Sequence, residues 1–325
     1  MQLNLFKRQN IGFLMGCCIL LSCHQNPSGH LKKAFYFWKT SFQPTAYELK
    51  RLDSFHCKTL YVRFFDINWD KQAGVPKPIA VSQTTRNRPA NLSYVPVIFI
   101  TNETLRKTDK AQLEMLAKNC TKLLNQKCIQ AHIQPTEIQM DCDWTQSTKE
   151  KYFRFLSICR KQPFFRGKVL SCTIRFHQVR NPNLSGIPPV DKGLLMCYNM
   201  GNLKISGKGN SILDLSVAKR YLVYVQDYPL PLDVAFPLFS WSLLFDHQQR
   251  FSGILSRMTK EQLENTALFE PVGKHLFKVK MDTTWQGYEF KKNATIRYES
   301  CSNEDLIRNS AGYVIYKPNF WSISI

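Results

Sequence analysis

The sequence is poor in acidic residues. Asp and Glu number 24 against 44 Lys and Arg, a formal charge of +20 over 325 residues. Other absences exclude whole classes of protein. No Cys-x-x-Cys pair occurs, so a structural zinc site is not indicated and no metal is expected. There is no Gly-x-Gly-x-x-Gly and no phosphate loop, which argues against a doubly wound nucleotide-binding sheet and against a nucleotide cofactor. Zinc-finger spacing and long basic helices are also missing, so the charge does not point to nucleic acid. Internal repeats and low-complexity segments are absent as well. The positive charge is spread in short runs such as Lys32-Lys33 and Lys291-Lys292, as on a solvated basic surface. In an exported protein such a surface suits anionic glycan, lipid or cell-wall polymer.

The first residues have the form of an export leader. Lys7 and Arg8 precede an apolar run, Ile11 to Leu21, that is too short to span a bilayer comfortably. The run ends in Leu20-Leu21-Ser22-Cys23, which resembles a bacterial lipobox. That resemblance implies a signal peptide over 1–22, a lipid-bearing Cys23 and a tether over 23–33, which leaves 34–325 as a single domain; the competing reading is an ordinary secretory signal with a chance cysteine. The lipobox resemblance also implies a cell-envelope location, facing the periplasm or the outer membrane, and a membrane partner through the N-terminal lipid. Without Lys7 and Arg8 the charge balance is 42 to 24, or +18. Eight cysteines follow Cys23. Of these, Cys142, Cys172 and Cys197 sit in apolar runs and read as small core residues.

Along the chain, strand-like runs alternate with helical patterns. Strands are expected at Ala34–Trp38, Leu60–Phe65, Val95–Ile100, Glu137–Asp143, Val169–Phe176, Leu194–Tyr198, Leu232–Phe239 and Trp321–Ile325. Helices are expected at Thr45–Phe55, Asp109–Gln126, Ser147–Cys159, Ser211–Val225, Thr259–Leu268 and Asn303–Ser310. Ser147-Thr-Lys-Glu150 has the form of a capping box. Residues 70–92 read as an irregular excursion and Phe277–Tyr298 as a β-excursion. This order predicts an α/β fold, a (β/α)8 TIM-type barrel with a β-rich excursion before the last helix and strand.

The most informative stretch is Glu137-Ile-Gln-Met-Asp-Cys-Asp-Trp144. Side chains of a strand alternate faces, so Glu137, Gln139, Asp141 and Asp143 share one face and Ile138, Met140, Cys142 and Trp144 the other. Helices cover the outside of a parallel barrel, so the polar face must point into the lumen. There Arg63, Glu137, Asp141 and Arg175 could meet. A carboxylate beside arginine stays charged, while one in an apolar site is pushed toward its acid form, and that contrast gives one site both a base and an acid. The competing reading is a structural ion pair with Arg63 or Arg175. Asp141 and Asp143 lead the candidates, with Asp66 or His177 as acid. Glu137 lies deeper and reads as a lumen ion-pair partner. Trp38, Trp69, Trp144, Tyr198, Trp241 and Trp321 fall at or beyond strand ends, where rings could stack on sugar faces, and Asn199 could bind hydroxyls.

Met140-Asp141-Cys142-Asp143-Trp144 resembles the fourth-strand motif of chitinase-like (family 18) glycoside hydrolases, Asp-Gly-x-Asp-x-Asp-Trp-Glu. Asp141, Asp143 and Trp144 match its second Asp, third Asp and Trp. Met196 and Tyr198 match the sixth-strand Met-x-Tyr-Asp, and Trp321 falls where the family often floors its sugar site with tryptophan. The coarse layout is also similar to that of exported barrel proteins of Bacteroidetes-type bacteria. The resemblance implies a sugar-acting barrel in which Asp143 supports the transition state beside Tyr198. Three departures stand against a direct transfer of mechanism: the family's acid falls at Thr145, its first Asp at Ile138 and its sixth-strand Asp at Asn199. The expectation is therefore a glycoside hydrolase-like protein with a non-standard proton donor, partnered by a glycan or cell-wall polysaccharide. The alternative is a non-catalytic glycan-capture lipoprotein. A third reading is a structural envelope protein whose barrel mouth is filled.

Overall fold

The computed structural model describes residues 32–39, 41–84, 89–199, 201–207, 209–301 and 322–324. Residues 1–31 with Cys23, the helix expected over 303–310, and Trp321 lie outside the described residues.

Eight parallel strands form a ring: β1 (Lys32–Phe37), β2 (Thr59–Asp70), β3 (Ser93–Ile100), β4 (Glu137–Asp141), β5 (Val169–Arg175), β6 (Lys192–Met196), β7 (Leu232–Ala235) and β8 (Ser322–Ser324). Each pairs in parallel with its neighbours in chain order, and β1 pairs with both β2 and β8. The fold is an α/β barrel of the (β/α)8 type. Closure is partial at the β8 seam, where three residues pair with β1 and two with β7. The strand expected from Ala34 begins at Lys32, inside the segment read as tether.

The polar and apolar faces divide as alternation requires. Ile138, Met140 and Cys142 join one large core between the sheet and the helices, together with Phe64, Ile98, Ile174 and Leu195. Inside the ring a smaller apolar cluster contains Ala34, Tyr61, Val95, Val97, Leu194, Met196 and Ala235. Cys57, Cys120, Cys128, Cys142, Cys159, Cys172 and Cys197 are buried thiols within this packing. Gly193 in β6 shows how tight the outer layer is. A Cβ there would stand 2.2 Å from Ile174 Cδ1 and 2.7 Å from Leu232 Cδ2. Gly193→Ala is expected to cost about 1–3 kcal/mol by overpacking. The check is the urea midpoint at unchanged slope, and an unshifted midpoint would count against the packing described.

The helices follow the expected order with local differences. The helix after β4 spans Lys149–Arg160 rather than starting at the expected capping box. Its N-cap, Thr148, makes no capping bond; its hydroxyl donates to Asn102 Oδ1 at 2.6 Å and accepts from the Thr145 backbone N–H at 3.0 Å. A short helix, Asn102–Lys107, precedes Lys110–Gln130. The irregular excursion holds a strand, Val75–Ile79, that folds back antiparallel on the overlong β2. The β-rich excursion is larger than expected. It begins at Trp241, not Phe277, and forms a five-stranded antiparallel sheet running through Glu299 with its own core around Phe269, Phe277, Phe290 and Ile296. Barrel and excursion belong to one compact unit, Leu31–Ile325.

Candidate functional site

The lumen carries charge in layers. In the lower layer Lys192 Nζ lies 2.8 Å from Glu137 Oε2 and 2.6 Å from Asp233 Oδ2. Ser171 and Tyr61 donate to Glu137 Oε1 at 2.6 and 3.1 Å. Glu137 is thus an ion-pair partner, but of Lys192. Burial opposes the charge on Lys192, yet its two carboxylates raise its pKa above the ordinary value. Above this layer the Tyr36 hydroxyl donates to Gln139 Oε1.

The upper layer opens into a 700 Å³ cleft at the C-terminal end of the strands, within the range of ligand sites. Asp141 and Asp143, two residues apart on one face, both line it. Their environments differ. Asp141 is 8% exposed, and burial pushes its carboxyl up to about 6, opposed by a hydrogen bond from Thr173 to Oδ1 at 2.5 Å and aided by Asp143 nearby. Among the described residues its Oδ2 accepts no hydrogen bond. Asp143 forms a bidentate ion pair with Arg175, whose Nη2 lies 2.6 Å from Oδ2. Burial works against the Arg175 charge, but the Asp143 bond raises its pKa. Tyr198 also lines the cleft, and its hydroxyl has no hydrogen bond among the described residues. Burial, then the nearby Asp141, raises its pKa.

The walls are aromatic. Trp38 follows β1 and is 43% exposed, with the Arg63 guanidinium 5.7 Å above its ring. Tyr198, Phe239 and Trp241 form an arc with ring centroids 5.8 and 5.2 Å apart. Trp241 Nε1 donates to Glu299 Oε2 at 2.8 Å, and Glu299 is itself held by Arg297 and by the Ser211 backbone. Asn199 lines the same mouth in the left-handed region, at φ 55°, which asparagine tolerates better than most residues.

Four candidates fall elsewhere. Trp144 is 1% exposed, donates to the Ser185 carbonyl at 2.9 Å and stacks on Tyr152 beneath the helix layer. The alternation that turns Asp141 and Asp143 inward turns Trp144 outward, so it cannot line the cleft. Trp69 sits on the hairpin beyond the barrel, opposite Pro76, with Lys107 over its ring. Asp66 is buried and takes up Arg63, its Oδ1 2.7 Å from Nε. Arg63 therefore buttresses Trp38 and does not join Glu137, Asp141 and Arg175. His177 is an exposed residue of the helix Phe176–Arg180 and does not line the cleft. Partial desolvation of its ring against the protein, then Arg175, lowers its pKa. Trp321 lies outside the described residues. Thr145 bonds to Ser147 and Thr148 and is likewise not part of the cleft lining. The residues missed were Thr173, Phe99, Phe239 and Glu299. Thr173 shares the inward face of β5 with Arg175, so its contact with Asp141 was open to the same alternation argument.

Solved structures similar to this chain share its barrel. The spore cortex-lytic enzyme SleL of Bacillus megaterium superposes with a TM-score of 0.58 at 11% identity, over 92% of this chain and 71% of that one. A chitinase of Chromobacterium violaceum gives 0.55 at 11%, over 90% and 93%. Catalytic domain 2 of the Group II chitinase of Ostrinia furnacalis, solved in complex with (NAG)5, gives 0.53 at 12%, over 91% and 89%. The fold is chitinase-like. No family model and no curated protein matches the sequence. At this identity the likeness establishes the chitinase-like barrel alone, and the chemistry rests on the cleft.

Proposed function

We propose that the protein acts on a glycan in the manner of a glycoside hydrolase, with Asp141 as proton donor. The observation that carries this reading is the split between neighbouring carboxyls. Asp141, pushed up to about 6, can carry a proton near neutral pH, while Asp143 is held in a bidentate ion pair with Arg175. A sugar ring stacked between Trp38 and the Phe239–Trp241 arc would place its glycosidic oxygen above them. Tyr198 and Asn199 would bind substrate oxygens. The similar structures include chitinases and a cortex-lytic enzyme, so chitooligosaccharides and peptidoglycan strands are the first probes. Trp38→Ala is expected to weaken glycan binding by about tenfold or more, read by titration calorimetry. Equal affinity in variant and parent would remove Trp38 from the site.

Capture without cleavage is the second reading, and two observations favour it. Position 145 offers no acid, and both oxygens of Asp143 are occupied by Arg175. Binding of a glycan panel with no reducing ends released would select it over hydrolysis.

We also propose export and lipid attachment at Cys23, on the strength of Leu20-Leu21-Ser22-Cys23. In a bacterial host the intact-mass spectrum of the membrane fraction should begin at a diacylglyceryl cysteine, and Cys23→Ala should abolish the lipid. A mature species that retains residues 1–22 would contradict this.

A further inference from the structure

The face opposite the cleft combines charge with exposed apolar side chains. In a parallel barrel every strand starts at the same mouth, so residues just before the strands share one basal face. The register confirms the levels: Ala34 pairs with Thr59, Thr59 with Ser93, and Glu137 with Val169. Lys32 and Lys33 open β1, Lys58 precedes β2, and Arg166 and Lys168 precede β5. Lys161 caps the helix Lys149–Arg160 at the same end. All but Lys168, which lies 4.8 Å over the Phe164 ring, are exposed. The opposing acids at this end are Asp53, Asp191 and Asp227, and Asp191 is already taken by Arg160 at 2.9 Å. The face is therefore net positive.

Large apolar side chains stand among these cations. Ile129 is 65% exposed, and Phe55, Val169 and Tyr224 are also exposed. They end the helices that return to this mouth or, for Val169, begin a strand. A soluble polyanion needs the cations only. Cations interleaved with aromatic and aliphatic side chains suit a bilayer surface, where headgroups meet the former and acyl chains the latter. Chain geometry agrees. The chain enters the barrel here through Lys32, and an anchor at Cys23, nine residues upstream, would lie within about 30 Å of the face.

We infer that the basal face docks on an anionic lipid bilayer, leaving the cleft directed away from it. This interaction is independent of glycan binding and needs no covalent lipid.

The test uses the full chain carrying Cys23→Ala, with and without Lys33→Glu/Lys58→Glu/Arg166→Glu/Lys168→Glu, so both proteins share the same N-terminal segment. Flotation with phosphatidylcholine vesicles containing phosphatidylglycerol is expected to show a loss of about tenfold or more in the charge-reversed protein, and the same loss for the parent in high salt. On pure phosphatidylcholine the two should bind alike. A second variant, Ile129→Ser/Tyr224→Ser, keeps every charge. It should lose vesicle binding while still binding soluble dextran sulfate. Matching thermal melts certify that each variant is folded. Equal vesicle binding by parent and charge-reversed protein would overturn the proposal. So would an Ile129→Ser/Tyr224→Ser protein that binds vesicles as well as its parent, which would assign the face to a soluble polyanion.

Discussion

Asp141→Asn is expected to lower kcat on a cleaved glycan by about 10²–10⁴ while leaving glycan affinity within about threefold. The amide keeps the shape and can still accept from Thr173, but it has no proton to give. The pH profile carries the same signature. An acid that titrates near 6 gives a rate that falls about tenfold per pH unit above that value, and His177, whose pKa is lowered, would place the limb below its ordinary 6.5. The substitution should also stabilise the fold. Asp141 binds its proton more tightly in the native state, near 6, than in the unfolded chain, at an ordinary 3.8. Stability is therefore lost as pH rises from about 4 to 6, on the order of 2–3 kcal/mol. The variant escapes that loss, so its melting temperature should exceed the parent's at pH 7 and match it at pH 4. An active Asp141→Asn enzyme would end the assignment of Asp141 as acid. Unchanged melting at pH 7 would mean that the carboxyl is better solvated than its burial indicates.

Lys192→Met is expected to be the most damaging single change to the fold. Lys192 answers two carboxylates, Glu137 and the 1% exposed Asp233, and all three side chains are largely buried in the lumen. Removing one member of a buried ion network costs about 3–5 kcal/mol, because the remaining charges lose their counter-ion. The Lys192 pKa is raised above the ordinary 10.5 by its two carboxylates, so with those partners ionised its contribution is complete below 10.5 and is lost as pH climbs through the raised value. Chemical denaturation at pH 7 gives the measurement. Adding Glu137→Gln and Asp233→Asn to Lys192→Met should restore much of the loss. A triple variant no more stable than the single one would show that packing by the lysine stem, not charge, holds this layer.

Much of the barrel was legible because its strands obey one simple rule. A parallel barrel strand has helices outside and a lumen inside, so Ile138, Met140 and Cys142 must alternate with Gln139 and Asp141. The same rule, carried one residue further, excludes Trp144 from the cleft. Its place at a strand end suggested a sugar-stacking role that its own periodicity rules out. The ion pairs were harder to read, because they depend on register between strands far apart in sequence. Lys192 meets Glu137 across 55 positions, and nothing local to either residue announces the partner. Arg175 with Asp143 was anticipated as the structural alternative, and the structure shows that pair at the cleft mouth. The antiparallel sheet is longer than the excursion expected over Phe277–Tyr298, because its first strand, Trp241–Phe245, pairs with Thr295–Glu299 about 50 positions away.

Trp241 has a consequence for how this protein can change over time. The ring stands on the antiparallel sheet and is held by Glu299, whereas Asp141 and Asp143 stand on the barrel. Each sheet is packed around its own apolar centre. Groove width and floor acidity are thus heritable traits that mutation can alter one at a time. Under the proposed function, a lineage could adopt a bulkier or differently branched sugar by remodelling the sheet, with Asp141 untouched on the barrel.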